Sequence, residues 1–286
     1  MKDFIKYHTK KNLLKFKLKN QSKIQARFVH KSNEFENVVL QNRKTLNYWT
    51  PFFTLEEYKK NDYGIPVHIF DNINKKINNY PTYSDLIVFI MKKFFDQQIS
   101  YLEIGASVLK NFIQIVENTK NNKIFAFDLN PLNDKFINLF EENSDNYYSG
   151  VYETNFVAYF EGDLLSKTET EKFKIKSNTK FNFVFSDALH TEDGVLEEYK
   201  NIIENNLSKN FVLYFDDLDF PGVEKAARNI FKDLRGNNEK LEFFTFFING
   251  WVGENEKFHK NGFITNMNIG NKIEKYVDLY QYKKIL

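Results

Sequence analysis

Carboxylates recur at five places in the chain, each just past an apolar run: Glu103 followed by Gly105, Ala106 and Ser107; Asp128; Asp163 after Gly162; Asp187; and the adjacent Asp216 and Asp217. Ionised carboxylates accept hydrogen bonds and bind hard cations, and a glycine lets the backbone approach a ligand closely. His190 follows Asp187 by three residues and is the candidate general base, because an imidazole titrates near neutral pH. His8, His30, His68 and His259 have no such constellation around them. Each residue alone has an ordinary reading, since Asp and Gly are common in turns and Asp219 or Thr191 can cap a helix. Five in register after successive strands are harder to explain that way.

The elements that must position these residues follow from hydrophobic periodicity. From Pro81 onward the pattern is regular: Ser84 caps a helix with Leu86, Ile87, Ile90, Met91, Phe94 and Phe95 at helical spacing, and Ile99 to Ile104 reads as a strand. Alternation continues with a helix at Val108 to Val116, a strand at Lys123 to Asp128, a helix at Leu132 to Phe140 and strands at Asn155 to Phe160 and Phe181 to Ser186. A helix at Val195 to Leu207 and a strand at Phe211 to Phe215 follow. After Pro221, Val223, Ala226, Ala227, Ile230, Phe231 and Leu234 form one apolar stripe that Gly236 ends, and late strands lie at Leu241 to Ile248 and near Gly262 to Thr265. This alternation predicts an α/β fold, a doubly wound and mostly parallel sheet with helices on both faces. Such sheets bind ligands at the carboxyl ends of their strands, where the five carboxylate positions fall.

Over about residues 99 to 250 the sequence resembles the class I S-adenosylmethionine-dependent methyltransferases. YLEIGAS at 101–107 is similar to the family's first motif, IFAFDLNP at 124–131 to its second and GDLL at 162–165 to its third. The resemblance implies a Rossmann-like methyltransferase sheet with an antiparallel edge hairpin. It assigns S-adenosyl-L-methionine to Glu103, Gly105, Ala106, Ser107, Asp128 and Asp163, with Asp128 on the ribose hydroxyls and Asp163 near the adenine amino group. The first loop departs from many members in having no further glycine soon after Gly105. FVFSDALHTEDGVLEEY at 183–199 and VLYFDDLDFPGVEKAARNIF at 212–231 resemble the macrocin-type sugar O-methyltransferase branch. That branch implies a divalent cation on Asp187, Asp216 and Asp217, which orients an acceptor hydroxyl and lowers its pKa, with His190 and Asp187 as the catalytic pair. Oxygen ligation favours Mg²⁺. The expected activity is O-methylation of a sugar or small-metabolite hydroxyl. The G-x-G-x-x-G cradle of a dinucleotide oxidoreductase is absent.

Composition bounds the alternatives. The 286 residues contain no cysteine, which excludes disulfides, thiolate zinc sites and iron–sulfur clusters. The longest apolar run, Leu86 to Met91, is far too short to span a bilayer, and the lysine-studded N-terminus lacks a signal-peptide core, so a cytoplasmic protein without a membrane span is expected. Residues 1 to 31 sum to +9, leaving −7 for the remainder of a chain whose formal charge is +2. The expected division is a basic accessory region at 1–80, a lid or assembly element, ahead of the methyltransferase domain at 81–286. Leu14, Phe16 and Leu18 alternate with lysines there as a short strand would, and Trp251 reads as packing in the edge hairpin. A nucleic-acid or other polymer acceptor held by the basic arm, a homo-oligomer, and a non-catalytic scaffold of the same fold are the alternatives left open.

Overall fold

The computed structural model describes residues 32–53, 80–144, 146–236, 240–250 and 258–285. The basic arm, the strand expected at Leu14 to Leu18 and Trp251 lie outside them. In chain order the strands are β1 (Ser100–Ile104), β2 (Lys123–Asp128), β3 (Glu142–Ser144), β4 (Tyr147–Tyr152), β5 (Asn155–Glu161), β6 (Phe181–Ser186), β7 (Leu207–Phe215), β8 (Glu242–Asn249), β9 (Phe258–Thr265) and β10 (Tyr280–Lys284). They form one sheet in the order β10-β8-β9-β7-β6-β1-β2-β5-β4-β3. The five central strands, β5-β2-β1-β6-β7, pair in parallel. Beyond β5 the sheet continues antiparallel through β4 and β3. On the other side β9 runs antiparallel between β7 and β8, and β10 closes that edge antiparallel to β8. Seven of the ten strands therefore point the same way, with β4, β9 and β10 the exceptions.

The helices are α1 (Asn33–Trp49), α2 (Tyr83–Phe94), α3 (Lys110–Asn118), α4 (Lys167–Ser177), α5 (Glu192–Glu198), α6 (Pro221–Arg235) and the short α7 (Gly270–Ile273). Strand side chains alternate between two cores, as a period of two requires. Tyr101, Ile124 and Ala126 join Leu86, Phe89 and Phe112 of α2 and α3 on one face. Leu102, Phe125 and Phe127 join Phe173, Val195 and Ala226 of α4 to α6 on the other. The sheet is thus covered on both sides and doubly wound. Its winding reverses at β1, because β2 and β5 lie on one side and β6 and β7 on the other. In open α/β sheets such a reversal marks the place of the ligand crevice, here the carboxyl ends of β1 and β6.

Local signals explain most element ends. α6 begins on Pro221 and stops at Gly236, whose φ of +25° few side chains tolerate. α2 is capped by Thr82 rather than by Ser84: the Thr82 backbone N–H donates to Asp85 Oδ2 at 2.8 Å, which draws the helix start two residues upstream. Asp85 is fully buried and also pairs with Arg43 of α1 at 2.7 Å, so α1 is fastened to the start of α2. Phe35, Val39 and Leu46 of α1 are fully buried in the same core as α2 and α3. Two segments read as α-helical are not. Leu132 to Phe140 contains a 3₁₀ turn at Asp134–Leu139, where the Asn133 side chain accepts from Lys135 N, and Val195 to Leu207 passes from α5 through a π turn at Tyr199–Ile203 into a 3₁₀ turn.

Candidate functional site

Two loops meet at the crevice. The loop after β1 turns at Gly105, whose φ is +86° and whose N–H donates to Phe127 O at 2.9 Å. A Cβ there would stand 2.5 Å from the Asp187 carbonyl oxygen, so only glycine allows this loop to lie against the loop after β6. Where further glycines were missed in the sequence, Ser107 (φ +50°) and Leu109 (φ +69°) take left-handed conformations themselves. Asp128, at the end of β2, holds the turn open. Its Oδ2 accepts from Ser107 N at 2.8 Å and its Oδ1 from Asn130 N at 2.9 Å. Gly105, Ala106, Ser107 and Asp128 therefore come together as one backbone-lined cradle.

The other two expected cofactor residues sit differently. Glu103 is 1% exposed and faces inward, accepting from Tyr101 Oη at 2.9 Å and Asn111 Nδ2 at 2.8 Å. Burial pushes its carboxyl up to about 8, against the opposing pull of those two donors. Asp163 is exposed at the end of β5, where its Oδ1 accepts from Leu165 N at 2.9 Å and its own N–H donates to Glu169.

Across the crevice the acids face histidines. Asp187 N donates to Ile104 O at 2.9 Å, tying the β6 loop to β1. His190 Nε2 lies 3.3 Å from Asp217 Oδ2, and the His190 ring lies tilted by 32° against the exposed Phe220 with centroids 4.9 Å apart. The other oxygen of Asp217 is taken by His259: its Nδ1 is 2.6 Å from Asp217 Oδ1 and 3.0 Å from Asp216 Oδ1. Asp216 Oδ1 also accepts from Asn261 Nδ2 at 2.6 Å and from Asp217 N at 2.7 Å. His259 is 3% exposed. Burial lowers its pKa, but Asp216 and Asp217 outweigh that and hold it up at about 9.

His259 corrects the expectation that it stands alone. It was missed because only Gly262 to Thr265 read as a strand; β9 begins at Phe258, and its antiparallel run brings His259 and Asn261 against the turn at 216–217. The two-residue spacing of His259 and Asn261 is the signal that places both on one face of a strand. Tyr83 was also missed. An isolated bridge between Thr82 and Asn249, and a 3.0 Å bond from Asn249 Nδ2 to Pro81 O, pin the start of α2 to the sheet. The Tyr83 ring then lies 5.1 Å from Phe185 and 6.2 Å from His259. Burial, then Asp187, Asp216, Glu103 and Asp217, raise its phenol well above the ordinary value. Glu198 of α5, fully buried near Ser186 and His190, is pushed up to about 7 by burial.

The three carboxylates expected to share a cation fall into two overlapping groups that meet at Asp217. Among the described residues, Asp187 groups with His190 and Asp217, whereas Asp216 groups with Asp217 and His259. Both groups include an imidazole, and Asp216 Oδ1 already receives two N–H donors, with His259 Nδ1 3.0 Å away. Mg²⁺ takes oxygen ligands at about 2.0–2.1 Å, often one or two carboxylates completed by waters, and Asp216 Oδ1 is already engaged within the protein.

The order β5-β2-β1-β6-β7-β9-β8, with β9 reversed, is a Rossmann-like methyltransferase sheet, and it carries its polar residues at the switch point. No protein-family model and no curated protein matches the chain. Among solved structures it is similar to the MycE methyltransferase of the mycinamycin biosynthetic pathway, crystallised with Mg and SAH (12% identity, TM-score 0.31, covering 52% of this chain and 39% of that one). It is also similar to CalS11, a TDP-rhamnose 3′-O-methyltransferase of calicheamicin biosynthesis (16% identity, TM-score 0.37, 71% and 88% covered). A third is a candidate O-methyltransferase from Klebsiella pneumoniae (14% identity, TM-score 0.44, 82% and 90% covered). The chain thus spans about two fifths of the MycE chain. Likenesses this distant assign neither acceptor nor metal to this protein. No described helix is long and apolar enough to cross a membrane.

Proposed function

We propose that this chain is an S-adenosylmethionine-dependent methyltransferase acting on a hydroxyl of a sugar or another small metabolite. The observation that carries the reading is the meeting of two loops at the switch point: the glycine turn shaped by Asp128 lies against the backbone of Asp187, three residues before the His190–Asp217 pair. A cradle for a nucleoside and a proton acceptor then share one crevice.

In this reading Gly105, Ala106, Ser107 and Asp128 seat the cofactor, Asp163 lies at its adenine edge, and Glu103 braces the loop from below through Asn111. S-adenosylmethionine supplies a methyl group already activated by its sulfonium. The acceptor oxygen forms its bond to that carbon as the C–S bond breaks, and His190 takes the hydroxyl proton. Asp217, 3.3 Å away, holds the ring and stabilises the charge it gains. Much of the remaining barrier is lowered by aligning donor and acceptor in line. α1 braces α2, which delivers Tyr83 to the crevice, so the N-terminal region serves the site as a support.

Calorimetry with S-adenosylhomocysteine tests the first half of the reading: a saturable heat that Asp128→Ala abolishes or weakens is expected. Labelled methyl transfer to a panel of hydroxylated acceptors tests the second, with His190→Ala as the control. A chain that gives no saturable heat with either S-adenosylmethionine or its product is not this enzyme.

A further inference from the structure

The acidic pair after β7 is already bridged by a side chain of the protein. His259 Nδ1 sits between Asp216 Oδ1 and Asp217 Oδ1 at 3.0 and 2.6 Å, and the three side chains are at most 11% exposed. Asn261 Nδ2 completes the hold on Asp216, and is itself fixed by Tyr214 Oη, which donates to Asn261 Oδ1 at 2.8 Å. Backbone packs closely around the bridge. β9 is paired with both β7 and β8, and Gly250 packs so closely that a Cβ there would stand 2.3 Å from His259 Nε2.

We propose that His259 occupies the position a divalent cation would need between Asp216 and Asp217, closing the pair to metal and leaving Asp217 Oδ2 to orient His190. The three side chains then form a line: His259 Nδ1 to Asp217 Oδ1, and Asp217 Oδ2 to His190 Nε2 at 2.6 and 3.3 Å. A carboxylate shared in this way cannot swing toward a cation without giving up a buried hydrogen bond, and loss of a buried bond to a charged group is costly. His259 is in these terms a positioning residue, acting on His190 through Asp217. The part played by His190 in proton removal rests on the methyltransferase reading. The closure of the pair to metal does not, so the two can fail separately.

Titration with Mn²⁺, followed by calorimetry and by the electron-spin signal of the free ion, tests the closure without reference to activity. The full-length protein is expected to show no Mn²⁺ binding that depends on Asp216, so that Asp216→Asn leaves its Mn²⁺ titration unchanged. His259→Ala vacates the space between two carboxylates and is expected to acquire Mn²⁺ binding that Asp216→Asn, added to it, removes again. His259→Gln keeps an N–H donor at that place and is expected to remain silent, with turnover closer to the parent than His259→Ala in EDTA. Saturable Mn²⁺ binding by the parent protein that Asp216→Asn removes overturns the proposal, as does a His259→Ala variant that still binds S-adenosylhomocysteine yet gains no Mn²⁺ binding over the parent. If neither His259 variant folds, the comparison of the parent with Asp216→Asn decides alone. A failure of S-adenosylhomocysteine to bind at all would count against the methyltransferase reading and leave the metal result intact.

Discussion

The two halves of the crevice use the same residue type for different work. On the β1–β2–β5 side the carboxylates bind backbone: Asp128 accepts from Ser107 N and Asn130 N, and Asp163 from Leu165 N. On the β6–β7–β9 side they bind imidazoles, with Asp217 shared between His190 and His259 and Asp216 held by His259 and Asn261. A carboxylate satisfied by amide donors fixes the shape of a loop. One set against a histidine biases where a proton rests. The difference teaches that acidic residues at strand ends are not one class: in the proposed function the first half receives a ligand and the second moves a proton.

That contrast can be broken in four ways. Asp217→Asn removes the charge facing His190 while keeping a residue that tolerates the φ of +50° at this position. Turnover should fall by about 10²–10⁴-fold with cofactor affinity spared, and a parallel loss of affinity in calorimetry would mean the halves are not separate. Gly105→Ala places a Cβ 2.5 Å from the Asp187 carbonyl oxygen, where the halves touch. It should cost about 1–3 kcal/mol of stability and lower both affinity and turnover, as read by denaturant melts and kinetics together. Asp128→Ala should weaken S-adenosylhomocysteine about tenfold, roughly 1.4 kcal/mol, with turnover at saturating cofactor little changed. A larger loss of turnover than of affinity would show that the cradle also does chemistry.

The smallest effect concerns Glu103→Gln. Glu103 titrates at about 8 when folded against an ordinary 4.5, so the unfolded chain releases this proton first. Ionisation therefore favours unfolding: the stability tied to the neutral acid is complete below about 4.5 and is lost as pH rises toward and through about 8. Glutamine has no such proton. The melting temperature of Glu103→Gln relative to the parent should rise across that window and level off above it, whereas a flat difference would mean Glu103 is ionised in the folded protein.

Much of the frame was legible residue by residue. The spans Lys123–Asp128 and Phe181–Ser186 are the observed β2 and β6, because central parallel strands are continuous apolar runs ended by a polar residue. α6 was equally plain, with Pro221 before its stripe and Gly236 after it. α4 was not read, since only Thr170, Phe173 and Ser177 of its eleven residues are buried and no apolar stripe shows. β4 escaped for a similar reason, as an alternation of tyrosines with small residues resembles a loop. At the site, the glycine turn and the carboxylates after β1, β2, β5, β6 and β7 lie in continuous stretches and could be placed from them.

What the amino-acid order determined by itself was the alternation of strands and helices, and hence which residues stand at strand ends, because each depends on periodicity within about a dozen neighbours. Only the tertiary structure decided what those residues face. His259 reaches Asp217 across 42 positions of chain, through a reversed strand inserted between β7 and β8. Antiparallel register of that kind is set by how two faces of the sheet pack, and a one-residue slip would turn His259 away from the carboxylates altogether.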